Sequence, residues 1–166
     1  MQLRTQSRVG WSLRTIVALA AMVAVPAALA HHSFAAYNMD VTRVFTGVVT
    51  RVNPDANHLQ IFFAPMNEER KNVLRDADGK PVIWAVEMAG SAQMAKEGVS
   101  VDSFPPGTIF SIGLHPLRDG QNAGTRGPNG AIYKCPVRTP PPVGKHCDAV
   151  EGSVAIGTGG LLKPKG

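Results

Sequence analysis

The sequence predicts a mainly β protein: a small five-stranded barrel of the OB type, with one short helix between its third and fourth strands. Three observations point there. Two segments place apolar residues at every second position, the period of one face of a strand. A run of β-branched residues stands ahead of them. One short stretch then changes to helix-forming composition before strand character returns. A five-stranded Greek-key barrel uses that order, and a β-sandwich usually lacks the helix.

Each element has its own justification. "VTRVFTGVVTRV" (Val41–Val52) is rich in Val and Thr and reads as the first strand, with Gly47 marking an expected bulge or corner. "NPDAN" (Asn53–Asn57) is a turn cluster. "HLQIFF" (His58–Phe63) places Leu59, Ile61 and Phe63 on one face and His58, Gln60 and Phe62 on the other. "APMNEERKNVLRDADGK" (Ala64–Lys80) is a polar excursion with room for one helical turn, closing on the hairpin dipeptide Asp78-Gly79. In "PVIWAVEM" (Pro81–Met88), Val82, Trp84, Val86 and Met88 share a face. Trp84 is expected to anchor the core, and Met88 and Met94 to fill it.

"GSAQMAKEG" (Gly90–Gly98) reads as a two-turn helix with Ser91 as N-cap and Gly98 as its stop. "IFSIGLHPL" (Ile109–Leu117) is the fourth strand. "RDGQNAGTRGPNG" (Arg118–Gly130) reads as a glycine-rich hairpin loop, and "AIYKC" (Ala131–Cys135) as a weak fifth strand. The barrel domain is thus expected over 31–135. Residues 136–166, dominated by Pro, Gly and small side chains, are expected to form an extended or partly disordered tail held near Cys147.

The first 30 residues have the composition of a secretory leader. Arg4, Arg8 and Arg14 form a positive start, and no acidic residue precedes Asp40. Ile16 to Val25 is apolar throughout. Its length of about 10 residues suits a leader's hydrophobic region and falls short of the about 20 a spanning helix needs. Pro26 interrupts it, and Ala28-Leu29-Ala30 offers the small-x-small pattern of a cleavage site. Export to the periplasm, without stable membrane insertion, is the expectation, and the mature chain would begin at His31.

That cut changes the charge balance. The chain carries 17 Lys+Arg against 12 Asp+Glu. Without the three leader arginines, the mature chain has 14 basic residues against 12 acidic ones, interspersed in sign. No basic stripe is left to follow a phosphate backbone, which argues against nucleic-acid binding. Export also places the two cysteines, Cys135 and Cys147, in an oxidising compartment, where a disulfide between them is expected.

"HHSFAAYNMD", "TGVVTRVNP", "WAVEMAGSAQMAKEGVSVDSFPPGT" and "GLHPLRDG" together resemble a family of small exported bacterial proteins catalogued as domain of unknown function 6152. The likeness runs from about His31 to Gly120. Its more specific parts are the HHSF opening and the block from His115 to Gly120. Members typically continue the NP turn with histidine; here Asp55 holds that position and His58 follows three residues later. The resemblance implies an exported, β-rich module and supplies no established activity.

No enzyme constellation is present: the chain lacks GxSxG, HExxH, P-loop and CxxC patterns, so a non-enzymatic role is expected. The histidines are its unusual feature. Cleavage after Ala30 would give His31 a free α-amine beside its imidazole, a chelate suited to Cu(II). His32 adds a second ring, and His58 or His115 is expected to complete a copper site. The alternative is a metal-free accessory module. Its ligand, a periplasmic protein or a small molecule, would dock on the outer face of the second and third strands, which carries Phe62, the stacking candidate, and Glu87.

Overall fold

The computed structural model describes the backbone from His32 to Gly166 and side chains from Phe34 onward. The expected leader, the His31 residue and the His32 ring therefore lie outside the described residues. After one helical turn, α1 (His32–Ala35), the chain forms β1 (Arg43–Asn53), β2 (Gln60–Pro65) and β3 (Trp84–Glu87). Then come α2 (Ser91–Lys96), β4 (Ile109–Pro116), β5 (Ala123–Thr125), β6 (Ile132–Lys134) and β7 (Val154–Ile156). Among the described residues, no helix is long and apolar enough to cross a membrane.

Five strands close on themselves. β1 pairs antiparallel with β2 and with β4, β2 pairs antiparallel with β3, β3 runs parallel to β5, and β5 pairs antiparallel with β4. This is the predicted five-stranded OB-type barrel, with α2 between the third and fourth strands. Its interior holds the expected faces of the second and third strands together with residues of β4: Leu59, Ile61, Phe63, Val86, Ile112 and Leu114 are essentially inaccessible. Phe63 meets Phe110 edge-on at 5.2 Å, and Trp84 packs on Phe45 at 4.7 Å. Met94 carries α2 into the same core, alongside Met88, Val99 and Phe104.

Four local expectations are corrected. The irregularity in β1 falls between Val49 and Arg51 rather than at Gly47; Gly47 is instead the position over which the Phe63 ring lies. Ser91 does not cap α2. The N-cap is Gly90, where a Cβ would collide with the Ala56 carbonyl, and the Ser91 hydroxyl donates to the Asp55 carbonyl at 2.5 Å. The excursion Ala64–Lys80 contains no helical turn. It is a looped hairpin bridged at Met66–Val73 and Arg75–Pro81, reversing at Gly79 with φ of 78°. The fifth barrel strand is not Ala131–Cys135 but β5, inside the stretch read as a hairpin loop. Gly124 permits it, because a Cβ there would fall 2.5 Å from the His115 carbonyl oxygen and from the Leu114 side chain.

The chain beyond β5 thickens one side of the barrel. β6 extends the sheet from β4, and β7 pairs with β6. Cys135 and Cys147 form the expected disulfide, with Cα atoms 5.1 Å apart. The tail is tied at further points than Cys147. Leu162 lies against Gly113 and Gly130, where side chains would not fit, and Lys165 exchanges backbone bonds with Thr42 at 2.8 and 3.1 Å. Glycines at the crossing points let a Pro/Gly-rich chain approach the sheet this closely.

Candidate functional site

The outward side chains of adjacent strands form a row across the sheet, because directly opposed residues face the same way. In this row Gln60 of β2 opposes Glu87 of β3, Glu87 opposes Thr125 of β5, and Thr125 opposes His115 of β4. The Glu87 backbone is fastened by the last residue of β5 and by the one after it. Its carbonyl accepts from the Arg126 N–H at 3.0 Å and from the Thr125 hydroxyl at 3.3 Å. That anchorage fixes where the carboxylate stands.

His58 comes to Glu87 from the turn before β2. Asp55 Oδ1 accepts from the Asn57 and His58 backbone N–H groups at 2.8 and 3.3 Å, an Asx turn that sets the direction of the following residue. The same two bonds hold the Asp55 carboxyl below the usual carboxylate range. Asp55 thus builds the turn that presents His58. The His58 Nδ1 lies 3.4 Å from Glu87 Oε1, with the imidazole half exposed and the carboxylate largely covered.

Tyr37 closes the third side. The segment containing it lies along the end of β4, with the Asn38 N–H donating to the Pro116 carbonyl at 2.8 Å and Tyr37 bridged to Leu117. Burial, then the negative charge of Glu87 and a hydrogen bond with it, push the Tyr37 phenol up to about 12. Loss of water around the phenol, reinforced by the facing carboxylate, disfavours its ionised form. Nothing in the sequence pattern singles out Tyr37. It lies 50 residues before Glu87 in the chain, and no local signal connects the two.

His115 is placed on the same face but apart. Its Nδ1 donates to the Val41 carbonyl at 2.8 Å, tying the N-terminal segment to β4. Two strand spacings, roughly 10 Å, separate its backbone from that of Glu87. Among the described residues no three His, Cys, Asp or Glu side chains converge closely enough to hold a metal. The structure thus joins His58 to Glu87 and does not join His58 to His115. Phe62 faces outward as expected, but the Arg51 guanidinium stacks over its ring at 3.7 Å, so that face is already covered.

A closed five-stranded barrel with one short helix between its third and fourth strands defines an OB-type fold. Residues 18–126 match the family described as a family of unknown function (DUF6152), and the chain belongs to it. No curated protein and no solved structure matches the chain. The match includes the barrel strands β1 to β5 and the His58–Glu87–Tyr37 group; β6, β7 and the disulfide lie beyond it.

Proposed function

We propose that this chain is an exported, periplasmic, non-enzymatic binding module that holds a divalent cation, copper foremost, on the outer face of its barrel. The carrying observation is the His58–Glu87 pair, 3.4 Å apart on a backbone fixed by β5. A carboxylate and a half-exposed imidazole are two of the ligands such a cation takes. The remaining nitrogens come from His31 and His32. His32 precedes Tyr37 by five residues in the chain. With His31 first, its α-amine and imidazole chelate from one residue, and Glu87 supplies the charge that offsets the cation. His115, bonded through Nδ1, keeps a separate role as the clasp of the N-terminal segment.

The test is Cu(II) titration by calorimetry and electron paramagnetic resonance, on protein whose first residue is His31. One alanine added ahead of His31 is expected to weaken binding at least about tenfold, which is about 1.4 kcal/mol. Glu87→Gln and His58→Ala are expected to weaken it as well. Affinity indifferent to the added residue, or nitrogen coupling unchanged by His58→Ala, overturns the reading.

A second reading rests on Ile83, a large apolar residue 40 % exposed on the segment that leads into β3 and Glu87. Together with Phe62 and Arg51, it would let a periplasmic protein or a small ligand dock without metal. Retention of partner binding by the chain with an alanine ahead of His31 favours this reading over copper.

A further inference from the structure

Outside the His58–Glu87 site, one buried polar chain ties the disulfide loop to the barrel. The Cys147 N–H donates to Ser111 Oγ at 2.9 Å. Ser111 Oγ lies 2.7 Å from Thr46 Oγ1, and Thr46 Oγ1 lies 2.8 Å from His146 Nδ1. Thr46 and Ser111 are register partners on β1 and β4, and they are 1 % and 0 % exposed. Both hydroxyl hydrogens therefore need acceptors within the protein.

Only one direction of donation supplies them. Cys147 N–H gives to Ser111, the Ser111 hydroxyl gives to Thr46, and the Thr46 hydroxyl gives to an unprotonated Nδ1. Run the other way, the Ser111 hydroxyl hydrogen has no acceptor among the described residues. The chain thus begins and ends on adjacent residues of the tail, and it requires His146 to be neutral with its hydrogen on Nε2.

We propose that His146 is a proton-operated catch for the disulfide loop: while neutral it fastens residues 136–147 to the outer face of β1 and β4, and its protonation lifts that loop and opens the Cys135–Cys147 bridge to external reductants. The bridge is otherwise shielded, with Cys135 4 % and Cys147 0 % exposed.

The groups around the ring agree with this role. From β1 it meets the Thr46 hydroxyl, which is in turn bonded to the Ser111 hydroxyl of β4. The loop between β2 and β3 brings Arg70, whose Nε donates to the Lys145 carbonyl at 3.0 Å. Glu68 stands beside Arg70, and its carbonyl accepts from the Gly144 N–H at 3.3 Å. Lys145 and Asp148 flank the ring in sequence. Burial, and then the Arg70 charge, hold the imidazole below its ordinary value against the opposing pull of Asp148. A proton arriving on Nδ1 reverses the hydroxyl chain, orphans the Ser111 hydrogen and adds a second cation beside Arg70.

The experiment is reduction of the bridge in the full chain by a water-soluble phosphine, followed by mass. The phosphine takes up the oxygen of a water and is oxidised, and the bridge leaves as two thiols. Rates at about pH 7.5 and about pH 5 are each divided by the rate for the urea-unfolded chain, which removes the reagent's own pH dependence. The normalised rate is expected to rise roughly tenfold toward acid, and Thr46→Val is expected to be fast and nearly independent of pH. In the unaltered protein, nitrogen NMR is expected to show His146 protonated on Nε2 with Nδ1 as acceptor at neutral pH. A rate independent of pH, a Thr46→Val protein that keeps the acid dependence, or an Nδ1–H ring at neutral pH each overturns the catch. The NMR readout serves where Thr46→Val does not fold.

Discussion

Gly47 of β1 lies beneath the ring of Phe63 of β2, so close that a Cβ on residue 47 would sit 2.5 Å from Phe63 Cδ2. Phe63 is fully buried and meets Phe110 and Phe45 edge-on, so it has no free direction in which to retreat. Gly47→Ala is therefore expected to destabilise the barrel by about 1–3 kcal/mol through overpacking. Urea unfolding with an unchanged slope and a lowered midpoint checks it.

The Glu87 charge raises the Tyr37 phenol together with burial. In Glu87→Gln that phenol is expected to titrate below 12 yet above the ordinary value of 10.0, because burial persists. Absorbance of tyrosinate against pH reports it directly. The sign for stability is also set: between 10 and about 12 the unfolded chain ionises Tyr37 while the folded chain does not. Stability is thus expected to fall as pH rises through that interval, and to fall less in Tyr37→Phe.

The disulfide closes a short loop, with a sequence separation of 12 between Cys135 and Cys147. Replacing both cysteines by serine is expected to cost about 2–3 kcal/mol, the loss that follows when a bridge acts by restricting the unfolded chain. Denaturant midpoints that respond to reductant in the unaltered protein, and not in the double variant, check the assignment.

His146 gives stability an acid limb. Its folded value is depressed below the ordinary imidazole value of 6.5, so the unfolded chain binds the proton first. The contribution is fully present above 6.5 and is lost as pH falls toward the folded value. Unfolding free energy measured between about pH 7.5 and about pH 5 is expected to decline more steeply in the unaltered protein than in His146→Gln.

Much of the barrel was legible in the chain. Leu59, Ile61 and Phe63, then Trp84, Val86 and Met88, state their inward face through their two-residue spacing, and burial of apolar surface needs no long-range information to choose it. The outward placement of Phe62 and Glu87 was readable for the same local reason, and the pairing of the two cysteines from their even number and the oxidising compartment expected of an exported chain. β5 was not. Three residues of a glycine-rich stretch carry no periodicity, and they become a strand only because β3 and β4 offer free edges on both sides. The site divides along the same line. Asp55 and His58 are joined by a turn that adjacent residues determine. The approach of Tyr37 to Glu87, the covering of Phe62 by Arg51, and the meeting of Thr46, Ser111 and His146 depend on contacts between distant segments. By itself the sequence determined which faces are apolar and where the chain turns, because those follow from side-chain type and spacing. Only the tertiary structure decided which polar groups meet, because a hydrogen bond takes its partner from whichever strand the closed barrel and its tail bring within about 3 Å.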